Sequence, residues 1–157
     1  MTYENLDVRL IKALQEDGRR SLRRLAEVLD VSTSTVRNHL DDLVEREVIQ
    51  GFAPRVDYAK LGYGLVAVTR IRARGDAIPA IVERLVADER LTHVYEITGD
   101  FDVMAIGRFR DESEMNQEIK RLLSLPGIEG TNTSIVLSAP KEAADLDLTA
   151  DLDGEDA

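Results

Sequence analysis

The amino-acid sequence predicts an α+β protein of two domains, a winged helix-turn-helix followed by a ferredoxin-like βαββαβ unit. Three observations carry this. Residues 21–43, SLRRLAEVLDVSTSTVRNHLDDL, read as two short helices across a tight turn. After residue 62 the apolar spacing shifts from helical to alternating, and a strand–helix–strand order appears twice, the second unit starting about 35–40 residues after the first. Between them Lys60-Leu61-Gly62-Tyr63-Gly64 punctuates the chain, so the expected domains are 1–62 and 63–140.

Leu6, Leu10, Ile11 and Leu14 give a first amphipathic helix, starting near Asn5 and stopping at Gly18, a residue suited to the left-handed position after a helix. Ser21 is placed to cap a second helix, whose Leu22, Leu25, Ala26 and Leu29 share one face. Asp30 stands at the turn, where a short polar side chain tolerates left-handed geometry better than most. Ser32 caps a third helix running to about Arg46, with Val36, Leu40 and Leu43 inward and Thr33, Ser34, Arg37 and Asn38 outward. The plain reading of that outward face is a solvated one. Its residue types also suit the major groove of DNA: Arg can bridge guanine, Asn can bridge adenine, and Ser and Thr reach phosphates or base edges. Arg19, Arg20, Arg23 and Arg24 cluster between the first and second helices, placed for phosphates or for neighbouring acids. Residues 48–56 look extended, with Pro54 limiting them to an edge: a short wing or a connecting strand.

Leu65–Ala73 alternates, with Leu65, Ala67, Thr69 and Ile71 on one face and Val66 and Val68 on the other. Asp76 is placed to cap a helix that turns Ile78, Ile81, Val82 and Leu85 inward. Residues 93–98 alternate again, Gly99-Asp100 ends that strand, and residues 101–109 form a third. Asp111 and Glu114 make an Asp-x-x-Glu variant of the capping box. The helix behind them presents Met115, Ile119, Leu122 and Leu123 and stops at Leu125-Pro126-Gly127. Residues 131–138 complete the sheet. Two helices cover one sheet face and leave the other open, which in so small a domain points to self-association. Beyond Pro140 only scattered Leu146, Leu148 and Leu152 interrupt an acidic stretch, so residues 141–157 are expected to be a disordered tail.

Charge and composition bound the function. The 157 residues carry a formal net charge of −10, which by itself argues against nucleic acid as a partner. The distribution answers this: residues 1–50 are net −2, residues 51–140 net −2, and residues 141–157 net −6. There are 16 Arg against 4 Lys and 30 acids, a Lys-poor balance like that of proteins from salt-accumulating halophiles, where surface acidity keeps a chain in solution. With no Cys and only His39 and His93, neither disulfides nor a metal site are expected. No run is apolar enough to span a membrane and no export signal is recognisable, so a cytoplasmic protein is expected.

In sequence, five stretches resemble the Lrp/AsnC (feast/famine) family of transcription regulators. Leu14-Gln15-Glu16-Asp17-Gly18-Arg19 is similar to the end of that family's first helix, LAEVLDVSTSTVRNHLDDL to its helix-turn-helix (about residues 22–41), and Val48-Ile49-Gln50-Gly51-Phe52 to its linking strand. Thr98-Gly99-Asp100-Phe101-Asp102 is similar to the glycine–aspartate hairpin of its effector domain, known as RAM, and Leu125-Pro126-Gly127-Ile128 with Thr131-Asn132-Thr133 to the run into its last strand. The resemblance spans about residues 3–140. It implies double-stranded DNA with a near-palindromic operator as partner, homodimers that in this family also build tetramers and octamers, an amino-acid-type effector and no cofactor. The candidate DNA-binding residues are then Ser32, Thr33, Ser34, Thr35, Arg37, Asn38 and His39, with Arg23 and Arg24. The candidate effector-binding residues are Gly99, Asp100, Asp102, Thr133 and Ser134, with a carboxylate for a ligand ammonium and turn N–H groups for its carboxylate. Read without the family, Gly99-Asp100 is an ordinary hairpin turn.

The chain departs from the family pattern where Asp30 and Glu47 replace customary glycines, and where His39, Asp41 and Asp42 replace a basic end of the recognition helix. Either turn is therefore open to rearrangement. Two other functions compete: an enzyme like the siroheme decarboxylases, which resemble this architecture, and a metabolite sensor that never meets DNA. The enzyme would need His or Arg groups converging on a tetrapyrrole, and only His93 lies in the second domain. No catalytic residue is expected.

Overall fold

The structure is a computed structural model and describes residues 5–142, 146 and 148. The expected tail over 141–157 therefore falls almost wholly outside the described residues. Of the described residues, 5–54 and 55–140 belong to two compact units.

In the first unit, α1 (Asn5–Glu16), α2 (Leu22–Leu29) and α3 (Thr33–Glu45) close around Leu10, Ala13, Leu25, Ala26, Leu29, Val36 and Leu43. The helical spacing of those residues is what makes each helix present one apolar stripe, and burying that stripe holds such short helices together. Ser21 accepts the Arg24 N–H at 3.2 Å and Ser32 the Thr35 N–H at 3.0 Å, so both expected caps form. Gly18 does not act as expected. It is not among the residues with positive φ; the end of α1 is held instead by Arg20, whose guanidinium reaches the Ala13 carbonyl (3.0 Å) and Glu16 (2.9 Å).

The two customary glycine positions keep their geometry without glycine. Asp30 is left-handed at φ 55°, ψ 48°, and the Val31 N–H closes on the Ala26 carbonyl at 3.1 Å. Glu47 is left-handed at φ 57°, which lets the Val48 and Ile49 amides both turn back onto the Leu43 carbonyl (2.9 and 3.1 Å). A non-glycine residue held there costs about 1–2 kcal/mol, less for Asp than for Glu. Glu47→Gly is accordingly expected to stabilise the helical unit by about 0.5–1 kcal/mol after the extra freedom of the unfolded glycine is discounted, read as a raised denaturation midpoint. A lowered midpoint would show that the Glu47 side chain contributes more than its backbone strain removes.

No strand forms over residues 48–56, which corrects the expected wing or connecting strand. Val48 and Ile49 have committed their amides to α3, and Pro54 has none to offer. The segment runs on without regular secondary structure, with Phe52 59% exposed.

In the second unit β1 (Leu65–Ala73) is central in a four-stranded antiparallel sheet of order β2–β3–β1–β4, with β2 Leu91–Glu96, β3 Val103–Phe109 and β4 Ile128–Ile135. The helices α4 (Ile78–Val86) and α5 (Glu112–Leu123) cover one face, where Ala67, Thr69, Ile71 and Ala73 of β1 are buried. The expected βαββαβ order is thus present. Asp111 caps α5 as expected, accepting the Glu114 N–H at 2.8 Å, while Glu114 reaches back to the Arg110 N–H at 2.8 Å. Asp76 does not cap α4. Its carboxylate is drawn to Arg74 (3.1 Å) within the 3₁₀ turn Gly75–Ala77, and the helix starts directly after that turn, at Ile78, with Pro79 in its first turn. On α5 Met115, Ile119 and Leu122 face inward as expected, joined by a buried Glu118 onto which Arg121 forks, while Leu123 is 50% exposed. The sheet face away from the helices carries Val66, Val68 and Arg70 of β1 against Arg108, Ile106 and Met104 of β3, with the four apolar side chains half-buried and neither helix over them.

Candidate functional site

Two regions hold the expected site residues, one on α3 and one at the β2–β3 hairpin. On α3, Thr33, Ser34, Arg37 and Asn38 are all exposed, and among the described residues neither Arg37 nor Asn38 has a hydrogen-bond or ion-pair partner. The helix N-terminus gathers hydroxyls: Ser32 Oγ lies 2.8 Å from both Ser34 Oγ and Thr35 Oγ1, and Thr35 is half-buried. His39 is turned the other way. Its Nδ1 is 2.7 Å from Oδ1 of Asp7 on α1, a buried carboxylate, so this side chain ties the recognition helix to the first helix. Arg23 and Arg24 share Glu27 at 3.3 and 3.1 Å. Such exposed pairs are worth little and exchange readily for a phosphate. Of the two acids late in the helix, Asp42 pairs with Arg46 at 2.7 Å, while Asp41 is exposed on the same stripe as Ser34 and Arg37.

At the hairpin Gly99 has φ +113° with open space around it, and Asp100 is exposed. Asp102 does different work. Its Oδ2 accepts the Ala73 N–H at 2.8 Å where the β1–β4 register slips between Arg72 and Ala73, and its own N–H donates to the Ile71 carbonyl at 2.9 Å. The carboxylate thus satisfies an amide just beyond Ile71–Val103, the last pair between β1 and β3. Thr133 and Ser134 are not brought to this group: they pair with Thr69 and Val68 in the middle of β1, and the Thr133 hydroxyl bonds Thr69 at 3.0 Å on the helix-covered side. At the hairpin's own level β4 offers Thr131, opposite Ile71.

Sequence reasoning passed over Arg70 and Arg72. Both guanidinium groups lie over the Phe101 ring of the hairpin, 5.2 and 5.4 Å from its centroid, and Arg70 also donates to Asn132 at 2.6 Å. Their two-residue spacing on β1 was the available signal, since it puts both on the uncovered face.

Among the described residues no group of three His, Cys, Asp or Glu is arranged to hold a metal ion, and no helix is long and apolar enough to cross a membrane. Comparison with known proteins fixes the class. A family model described as Lrp/AsnC ligand binding domain matches residues 66–146, and one described as winged helix-turn-helix DNA-binding matches residues 4–50. An HTH-type transcriptional regulator of Pyrococcus furiosus is 39% identical over 142 residues, covering 90% of this chain and 96% of that protein. The chain belongs to the Lrp/AsnC family.

As a member of that family it is a DNA-binding transcriptional regulator. HTH-type transcriptional regulator FL11 of Pyrococcus abyssi is 34% identical over 93% of this chain and 97% of its own. In fold, this Lrp/AsnC chain is similar to a transcriptional regulator of Neisseria meningitidis solved as an L-Met complex (TM-score 0.89, 24% identity, 95% of this chain and 99% of that one). It is likewise similar to AsnC of E. coli (TM-score 0.86, 22% identity, 92% and 99%).

Proposed function

We propose that the chain reads a near-palindromic operator with the outward face of α3 and adjusts that binding to an amino-acid-type effector held at the β2–β3 hairpin. The observation that carries the DNA reading is the unpartnered, exposed pair Arg37 and Asn38 on a helix whose other face is locked by Val36, Leu43 and the His39–Asp7 contact. Fixed backbone with free bidentate side chains is what base-edge recognition needs. Arg37→Ala and Asn38→Ala should each lower discrimination against wrong bases by about 1–3 kcal/mol in a binding-site selection. Unchanged sequence preference in both variants would remove α3 as the reader and leave the metabolite sensor without DNA.

For the effector, the hairpin offers Asp100 to an ammonium, and Arg72 beside it to a carboxylate. Gly99 and Asp102 belong to the same hairpin, while Thr133 and Ser134 would enter only through a ligand reaching along β4. The helix-free sheet face, with Val66, Val68, Met104 and Ile106 at its middle, supports a homodimer, through which two recognition helices would address half-sites about one helical turn apart. Tetramers or octamers would need further surfaces. The Lys-poor, acidic composition supports a cytoplasm of high salt.

A further inference from the structure

Among the described residues, Asp7 is the only charged side chain buried in the helical unit. It lies in the first turn of α1, and its carboxylate takes the Nδ1–H of His39 on α3 at 2.7 Å. That carboxylate has no other hydrogen-bond or ion-pair partner among the described residues. Such a pair adds little to stability: withdrawing a carboxylate from water costs much of what the contact returns, and apolar side chains of similar volume often hold a core as well or better. The start of a helix favours an acid wherever its side chain points, and does not ask for its burial against α3. The helices already close around an apolar core, so the pair is not needed to bring them together.

The core does leave one degree of freedom on α3 loosely set. Only Val36 and Leu43 of this helix are buried, with Leu40 half-buried beside them. Val36 and Leu43 are seven residues apart and lie within about 20° of one line along the helix. Apolar contact is non-directional, so side chains along one line hold the helix down without fixing its rotation about its own axis. His39, three residues after Val36, stands about 60° to one side of that line. A hydrogen bond there acts on the helix with a lever arm, and both its length and its angle are confined. Rotation matters on the far side. A turn of about 20° moves atoms at the helix surface by about 2 Å. Hydrogen-bond lengths span only about 2.7–3.2 Å, so the same turn would carry Arg37 and Asn38 off the paired groups of one base.

We propose that Asp7 is a specificity-determining residue that never touches DNA: through His39 it fixes the rotation of α3 and so selects which base edges Arg37 and Asn38 address. It is a positioning residue, and the inference rests on α3 being the reader.

The measured quantity is the ratio of operator affinity to random-sequence affinity, taken on the full chain beside its denaturation midpoint. In the double variant Asp7→Leu/His39→Leu both partners become apolar together, so the midpoint should hold or rise. The ratio should fall about tenfold or more, because the bidentate contacts lose their alignment. Asp7→Asn keeps an oxygen for the His39 Nδ1–H and should hold the ratio within about threefold of the parent. A double variant that keeps both midpoint and ratio would overturn the proposal. So would equal losses of ratio in Asp7→Asn and the double variant, since position would then not be what the pair supplies. Should the double variant not fold, Asp7→Glu decides, because it keeps the pair but displaces it by one methylene. An altered base preference in a binding-site selection then supports the positioning role, and an unchanged one overturns it. Arg37→Ala and Asn38→Ala, run alongside, separate the two readings. If they lose the ratio while the Asp7 variants keep it, only the positioning role falls. If none of them changes it, α3 is not the reader and this inference falls with that reading.

Discussion

Replacing Asp41 and Asp42 together with Lys is expected to raise operator affinity at low salt and to turn a shallow salt dependence into a steep one. A DNA-binding protein loses affinity with salt because its Lys and Arg displace counterions from phosphates, with a slope of about −0.9 per phosphate neutralised. On α3, Asp41 shares the exposed stripe of Ser34 and Arg37, while Asp42 is already paired with Arg46. At about 0.01 M salt the repulsion between these carboxylates and phosphate reaches about 30 Å, and near 1 M it reaches about 3 Å. Rising salt thus removes a penalty while it weakens the contacts of Arg37 and the arginines of α2, and the two trends oppose each other. Two lysines in place of two aspartates should steepen the slope by about 1.8, so that between about 0.05 and 0.5 M KCl the variant loses about 60-fold more affinity than its parent. Plots of log K against log salt for both proteins on one operator give the answer. Equal slopes would mean that these acids never enter the phosphate field, and the high-salt reading of this surface would fall with them. The single Asp41→Lys variant should carry most of the effect, because Asp42 already has a cation beside it.

Gly127→Ala is expected to be the most damaging methyl group that can be added to the second unit. Gly127 sits at φ +91°, in the turn from α5 to β4, and its carbonyl accepts the Arg74 N–H at 2.9 Å. A Cβ there would stand 2.2 Å from the Cβ of Ala77, itself pinned by its amide on the Arg74 carbonyl at 2.9 Å. Left-handed strain and overpacking add, for a loss of about 2–5 kcal/mol. Gly99→Ala is the matched comparison: φ is +113°, yet nothing lies within 4 Å, so only the strain of about 1–2 kcal/mol remains. Denaturant unfolding followed by circular dichroism should rank the two in that order. Equal losses would show that the 75–77 turn moves aside freely.

What could be read in the sequence was local or periodic. Ser21, Ser32 and Asp111 cap the helices they precede because an N-cap depends on residues within one turn of it. The alternation of Leu65–Ala73 foretold which face of β1 is buried because strand faces follow a period of two. The misreadings have nonlocal or competitive causes. Asp76 had a suitable position but a closer cation in Arg74; Leu123 gave up its inward place to Glu118 because Arg121 satisfies that carboxylate. At the candidate sites, the exposed face of α3 followed from helical spacing alone. The partners of His39 and Asp102 did not: Asp7 is 32 residues away from the first and Ala73 29 residues away from the second. The stacking of Arg108 on Tyr58, 5.5 Å from the ring centroid, has the same character, since only the pairing of β1 with β3 brings the segment before β1 to Arg108.

The contact between Asp102 and the Ala73 amide makes one proton a witness to events at the hairpin. That N–H lies just past the last pair between β1 and β3 and rests on a carboxylate at the foot of the loop. A ligand ammonium drawn to Asp102 must compete for the same charge, so effector binding there would loosen the Ala73 proton and quicken its exchange with deuterated solvent; ligand held by Asp100 alone would leave it slow. Asp102→Asn keeps an acceptor oxygen for Ala73 while removing the charge, so in that variant the exchange rate should stay at its unliganded value whatever is added. The readout is residue-resolved amide exchange, and it distinguishes the two aspartates without reference to DNA.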